Sequence, residues 1–227
     1  MVKQICELPT GHGYNLWAPF YDNNDNPMIG LDNIIVESEL NINFNNLSII
    51  DLGCGTGRHS IEFANKGANV IALDFAEEMI KIAKINNTDK INFIFHDLSK
   101  IWPVKNDQFD LVFSSLVLEH IYNLDLFFSE CKRVCKPRGL IYITAMHPAM
   151  ILKGTQANFD DPVSGFKIRP KGYPNKISDY INAISKSKLN ILTMNEHSGT
   201  EWLVEKYPRS IKYLGWPMLL SFTLSIN

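Results

Sequence analysis

An α/β fold built on a doubly wound, mostly parallel sheet is what this sequence predicts, on three observations. Apolar runs of strand length alternate with amphipathic stretches of helical period from about residue 47 to 146. One run, Ile49-Ile50-Asp51-Leu52, enters the glycine-rich turn Gly53-Cys54-Gly55-Thr56-Gly57 and continues as a helical pattern. With 227 residues, 45% of them apolar, the chain can bury one sizeable core.

The elements follow in order. Residues 47–52 form a buried strand, and residues 58–66 a helix that begins as the glycines end. Val70-Ile71-Ala72-Leu73 gives a second strand over 69–73, followed by a helix over 77–85. Residues 91–96 and 109–114, both rich in Phe and β-branched residues, read as strands. An amphipathic helix over 123–134 and a strand over 139–146 complete the alternation. Such a series implies a parallel sheet with helices on both faces, its strand ends converging on one edge where ligands bind. A further helix is expected near residues 31–40 and another from Ile177 onward.

The turn itself indicates a ligand. Glycines are needed where a backbone bends tightly and a nucleotide must approach without Cβ atoms in the way. The spacing is G-x-G-x-G, whereas the dinucleotide fingerprint is G-x-G-x-x-G, and Asp51 beside the turn disfavours a pyrophosphate and suits a cationic ligand. S-adenosylmethionine carries an ammonium and a sulfonium. Here the chain resembles the class I S-adenosylmethionine-dependent methyltransferases, whose first motif has an acidic residue before G-x-G-x-G, as in Asp51 to Gly57.

Further motifs extend the resemblance. Asp74 ends the second strand seventeen residues after Gly57, close to the separation at which an acid meets ribose hydroxyls. The plainer alternative is an N-cap, since Glu77 lies three residues on. Asp97, after the third strand, takes the place where the family sets an acid against the adenine amino group; otherwise it is a turn residue. The family pattern also puts Cys54, Arg58, Phe75, Met79, His96, Leu98, Ser114 and Ser115 around the cofactor. Phe109-Asp110-Leu111-Val112 and Leu118-Glu119-His120-Ile121 match the fourth strand and the segment where methyl group and acceptor meet. Cys135-Lys136-Pro137-Arg138-Gly139 stands where relatives have L-K-P-G-G, with Arg138 replacing a glycine.

The resemblance implies a Rossmann-like, doubly wound sheet of seven mostly parallel strands, with helices on both faces and a small cap on the substrate side. It adds strands near residues 189–196 and 218–225, the last antiparallel. The chain divides into an aromatic arm and helix (1–46), a cofactor-binding core (47–146), an insertion or lid with a helix (147–188) and carboxyl-terminal strands (189–227), all in one domain.

Two regions are left for the acceptor. The amino-terminal arm places Tyr14, Trp17 and Tyr21 where a similar family segment closes over the cofactor, so these rings can shield the sulfonium by cation–π contact and wall the acceptor pocket. Docking a helix on the sheet is the alternative. A Gly-, Pro- and aromatic-rich insertion over 154–174 reads as a lid or binding loop. Tyr180 and Trp202 are further candidates, and with Tyr14 and Tyr21 they point to a flat aromatic or heterocyclic acceptor. Methyl transfer needs alignment first, and a base only if the nucleophile must lose a proton. His120, after the fourth strand, is the first candidate base and His147, after the fifth, the second; both are also candidate acceptor contacts, and Glu119 is read as orienting the loop.

Exclusions narrow the class. A net charge of −2 gives no footprint for nucleic acid, and Ser114-Ser115-Leu116-Val117 stands where amino-directed base methylases carry Asn or Asp-Pro-Pro-aromatic. The start Met1-Val2-Lys3-Gln4-Ile5-Cys6-Glu7 lacks a signal-peptide core and no run spans a bilayer, so a cytoplasmic protein without a membrane partner is expected, as monomer or homodimer. Four cysteines without a C-x-x-C pair give no metal site. Three alternatives stay open: a nicotinamide oxidoreductase, opposed by the glycine spacing; a protein methylase of the same fold; and a non-catalytic binder of S-adenosylmethionine or S-adenosylhomocysteine.

Overall fold

The computed structural model describes residues 4–22, 25–85 and 90–226. Residues 1–3, where the reading of the amino terminus begins, lie outside the described residues. In order, the chain forms β1 (Ile5–Leu8), α1 (Thr10–Tyr21), α2 (Pro27–Glu39), β2 (Ser48–Leu52), α3 (Arg58–Asn65), β3 (Asn69–Asp74), α4 (Glu77–Ile85) and β4 (Ile91–Phe95). It continues with β5 (Phe109–Ser115), α5 (Leu124–Val134), β6 (Cys135–Met146), α6 (Pro148–Leu152), β7 (Phe159–Asp160), β8 (Lys167–Pro170), α7 (Ile177–Lys186), β9 (Leu189–Ser198), α8 (Glu201–Lys206) and β10 (Pro217–Ile226). Short 3-10 segments cover Leu118–His120 and Pro208–Tyr213.

The large sheet has seven strands in the order β4-β3-β2-β5-β6-β10-β9. Strands β4 through β6 pair in parallel, while β10 is antiparallel to both β6 and β9. From β2 the chain builds outward to β3 and β4, then returns to place β5 on the other side of β2. That reversal opens a crevice at the carboxyl ends of β2 and β5, the place where open α/β sheets bind ligands.

Residue alternation sorts the core onto two faces. Ile49, Leu111, Phe113 and Tyr142 pack with Val36, Phe63, Ile80 and Ala83 of α2, α3 and α4. The intervening Ile50, Leu52, Val112 and Ile141 pack on the opposite face with Phe127, Phe128, Tyr180 and Ala183 of α5 and α7. Helices with one apolar face therefore cover both sides, as the alternation of the sequence predicts.

Three details differ from the sequence-based expectation. The amino-terminal region is a strand and a helix rather than an arm. Its β1 pairs in parallel with β8, which pairs antiparallel with β7, so the insertion and the chain start together make a second, three-stranded sheet. The fifth main strand begins at Cys135, four residues earlier than expected, because Cys135 already pairs with Phe109 and a register irregularity absorbs the extra residues before Leu111 meets Leu140.

α2 is anchored by one buried carboxylate. Asp32 is fully buried, and its Oδ2 receives hydrogen bonds from Arg58 Nη2 (3.0 Å), His59 Nε2 (3.0 Å) and Ser115 Oγ (2.7 Å), while Oδ1 receives Thr144 Oγ1 (2.5 Å). These partners come from α3 and from the carboxyl ends of β5 and β6. Burial alone would raise the Asp32 pKa, but the Arg58 guanidinium, His59 and the hydroxyl donor Thr144 outweigh it and hold the carboxyl well below its ordinary range. Replacing Asp32 by Ala leaves buried donors without an acceptor, and a loss of about 3–5 kcal/mol in chemical denaturation at neutral pH is expected. Since the folded-state pKa is depressed, this contribution is present above the ordinary carboxylate pKa and is lost as pH falls. The gap between Asp32→Ala and wild type therefore closes in acid; an unchanged gap at pH 2–3 would contradict an ionised Asp32.

Candidate active site

Two cavities of about 270 Å³ each meet at the carboxyl end of the sheet. The first lies over the glycine turn between β2 and α3. Gly53, Gly55 and Asp74 form one wall, with Phe75 and Met79 beside them; Asp97 and Leu98 close the end beyond β4, and Ser115 and His120 lie on the β5 side. Tyr14 and Tyr21 of α1 cover it.

Gly53 and Gly55 both hold positive φ, +76° and +56°. A Cβ on Gly53 would collide with Val117, whereas one on Gly55 would meet no atom within 4 Å and would project into open space. The turn is tied to the next strand by Asp74, whose Oδ2 accepts from Gly55 N–H and whose Oδ1 accepts from Ala76 N–H, both at 2.8 Å. The turn-capping alternative for Asp74 is therefore real, and it coexists with a place on the cavity wall. Burial raises the Asp74 pKa to about 6 against the pull of these backbone amides.

The methyltransferase domain family matches residues 50–143. An uncharacterized methyltransferase of Emericella nidulans is 30% identical over 229 residues, covering 85% of this chain and 79% of that protein. The chain belongs to the class I S-adenosylmethionine-dependent methyltransferases. A ubiquinone biosynthesis O-methyltransferase of Bartonella bacilliformis is 33% identical over 107 residues, 46% of this chain and 43% of the relative, so there the likeness spans less than half of either protein. Among solved structures, an S-adenosylmethionine-dependent methyltransferase from Mesorhizobium loti superposes with a TM-score of 0.72 at 22% identity, over 87% of this chain and 99% of the other, which shows the shared fold.

The residues present suit the methyltransferase cofactor. The space above Gly55 admits a ligand against bare backbone, and the Asp74 carboxylate at that wall retains lone pairs beyond the two amides it already accepts.

Several sequence-predicted cofactor residues stand behind this wall instead of on it. Asp51 is buried beneath the turn and accepts from Ser60 Oγ at 2.5 Å, with its pKa raised by burial. Cys54 is buried against the helix core, and Ser114 Oγ donates to Leu52 O at 3.0 Å within the sheet. Arg58 turns toward α2, where it donates to Asn33 and Asp32. His96 contributes its backbone N–H to Asp74 O at 2.8 Å, and its side chain lines neither cavity. Strand alternation explains the pattern, because a motif of consecutive residues cannot present every side chain to one cavity.

The second cavity adjoins the first, sharing Tyr14, Tyr21 and Leu116 as walls. Trp17 lies here rather than in the cofactor cavity, stacked on Tyr14 (centroids 5.7 Å apart, 16° between planes) and on Phe159 (5.0 Å, 16°). Leu116 has φ +56°, a left-handed conformation uncommon for a bulky residue and held here by its N–H bond to Thr144 O.

The candidate bases separate. His120 reaches the cofactor cavity, but Nδ1 lies 2.8 Å from Lys171 O and must donate to it, leaving Nε2 to accept from Tyr14 O–H at 3.0 Å. Burial lowers its pKa to about 4, so the imidazole is neutral at neutral pH and fully engaged. His147 reaches neither cavity: it caps α6, Nδ1 accepting from Ala149 N–H at 3.0 Å, and Nε2 pairs with Glu196 at 2.7 Å. Tyr180 is core, packed edge-on against Phe222, and Trp202 sits half-exposed on α8, away from both cavities.

Glu119 emerges where the sequence pointed to its neighbour. It is buried, lines the second cavity, and its Oε2 has no hydrogen-bond partner among the described residues. Burial raises its pKa to about 7, against the backbone amides of Glu119 and Met146 that lower it, and the charge of Asp32 adds to the rise. The insertion clasps this turn: Tyr173 N–H donates to Glu119 O (2.7 Å), and Asn175 Nδ2 donates to Leu118 O and Ile121 O (both 3.0 Å). Nothing in the sequence distinguishes Glu119 from a solvated loop acid, since its burial is supplied by residues fifty positions away.

The two glycines make opposite predictions. Gly55→Ala costs about 1 kcal/mol in backbone strain and leaves the fold intact, while its methyl group lowers S-adenosylmethionine affinity at least about tenfold in calorimetry. Gly53→Ala adds a clash with Val117 and lowers the melting temperature well beyond Gly55→Ala. Equal melting temperatures for the two variants would contradict the assignment of their Cβ directions.

Proposed function

We propose that this methyltransferase moves the methyl group to an O, N or activated C nucleophile of a small acceptor with a flat aromatic or heterocyclic face, bound in the second cavity. The observation that carries the reading is the junction of the two cavities at Tyr14, Tyr21 and Leu116, which sets an acceptor space directly beside the cofactor space. The stacked rings of Tyr14 and Trp17 give that space an aromatic wall, with Phe159 stacked behind Trp17. The O-methyltransferase named for ubiquinone biosynthesis is a relative whose name is consistent with a small acceptor.

When bound, the cofactor supplies an electrophilic methyl on a sulfonium. In the first cavity Asp74 would hold the ribose hydroxyls and Asp97 the adenine amino group, and the turn backbone at Gly53 and Gly55 would receive the ligand without Cβ atoms in the way. Tyr14 and Tyr21 exclude water from the sulfonium side; burial pushes the Tyr21 hydroxyl up to about 12 and Tyr14 well above its ordinary value, so both are neutral donors. His120 is a positioning residue that fixes the Tyr14 hydroxyl and joins it to the insertion through Lys171. Where the nucleophile must lose a proton, Glu119 takes it: its pKa near 7 lies closer to neutrality than that of His120 near 4.

Calorimetric titration with S-adenosylmethionine, S-adenosylhomocysteine and NAD tests the cofactor assignment. The first two bind and NAD does not, and Asp74→Asn weakens binding about tenfold or more; binding of NAD alone would overturn the reading. For a protic acceptor the rate rises with pH through about 7 as Glu119 loses its proton. Glu119→Gln removes that rise and lowers kcat by about 10²–10⁴. Turnover that keeps its pH profile in the Gln variant would place the base elsewhere.

A further inference from the structure

The second cavity has an electrostatic character that methyl transfer to a neutral ring does not require. Lys167 of β8 and Arg209 and Lys212 of the 3-10 segment before β10 all line it, from stretches of chain forty residues apart. The chain as a whole is net acidic. Several cations elsewhere are held in ion pairs, Lys66 with Glu62, Lys136 with Asp110, Arg133 with Glu130 and Lys186 with Asp125. Lys167 pairs in the same way with Asp160 at 2.9 Å. Arg209 and Lys212 have no ion pair or side-chain hydrogen bond among the described residues; Lys212 only lies over the Tyr213 ring at 4.9 Å.

A second observation comes from the buried side of the same cavity. Trp17, nearly fully buried and part of the lining, has an indole N–H without a hydrogen-bond partner among the described residues. Unpaired buried donors are rare, and an oxygen-bearing ligand in the adjoining space is the natural complement. Among the described residues of the lining, Glu119 is the one carboxylate.

We propose that the acceptor carries an anionic group, a carboxylate or phosphate-type oxyanion, which Arg209 and Lys212 receive at the cavity while its methyl-accepting end is directed to Glu119. The arrangement sorts acceptors by charge: a fixed anion at one end is attracted by two unpaired cations and repelled by Glu119 at the other, so it binds in one orientation. Arg209 supplies a planar fork matched to a carboxylate or phosphate, and Lys212 adds a point charge. This inference rests on the second cavity being the acceptor site.

The test uses the full chain saturated with S-adenosylhomocysteine, and matched aromatic probes: 3-hydroxybenzoate against 3-hydroxybenzamide, and phenyl phosphate against phenol, each titrated by calorimetry. The acids bind about tenfold or more tighter than their neutral partners. Arg209→Ala with Lys212→Ala, both on exposed positions, removes that preference, and raising the salt concentration weakens only the acids. Arg209→Lys with Lys212 intact restores part of it. Neutral probes binding as tightly as acids, a preference that survives the double substitution, or no binding of any acid at millimolar concentration would each overturn the proposal. Failure of S-adenosylhomocysteine itself to bind would instead strike the functional reading on which it rests.

Discussion

The Asp32 carboxylate is the interaction on which the arrangement of the catalytic end depends. It lies at the point where α2, α3, β5 and β6 come together, and it accepts four hydrogen bonds, one from each of Arg58, His59, Ser115 and Thr144. An ionised group without solvent is costly unless it is hydrogen-bonded, and here both oxygens accept from fixed donors, three on Oδ2 and one on Oδ1. The consequence is geometric. Arg58 is turned toward α2, Ser115 is held at the first cavity, and α2 is docked where its first turn walls the second.

Around that fixed point the site is made of two clasps. Asp74 holds the glycine turn from below through Gly55 N–H, so the shape of the cofactor cavity is set by a side chain of the neighbouring strand. The insertion holds the other side, with Lys171, Tyr173 and Asn175 bonding the Leu118–His120 turn and its flanks. Through His120, the second clasp also reaches Tyr14 on α1. The chain start and the insertion are joined a third time by the pairing of β1 with β8, which makes the cover over the site a small sheet rather than a loose arm. Nearly every wall of the second cavity therefore comes from elements outside residues 47–146.

This division explains which site residues could be read in advance. Gly53, Gly55, Asp74, Phe75, Met79, Asp97, Leu98 and Ser115 follow strand ends of a regular βα series, and the parallel sheet brings those ends to one edge whatever the helices contain; all of them line the first cavity. Asp51, Cys54, Arg58, His96 and Ser114 lie in the same motifs but stand on the opposite side of the pleat or are captured by another partner. His147 and Trp202 follow the carboxyl-terminal strands, whose surroundings depend on an antiparallel return that carries no glycine motif.

The sequence by itself determined the parallel core, its order of elements, its methyltransferase kinship and the crevice for the cofactor, because alternation, glycine spacing and strand-end acids are local properties that dictate local conformation. Only the tertiary structure decided which of two adjacent residues, Glu119 or His120, keeps an unpaired polar atom. His120 spends both nitrogens on Tyr14 and Lys171, partners 106 and 51 residues away, and Glu119 is buried beside the cavity with one oxygen unpaired. Protonation states and free valences are set by what folding brings near, and no pattern along the chain records those distances.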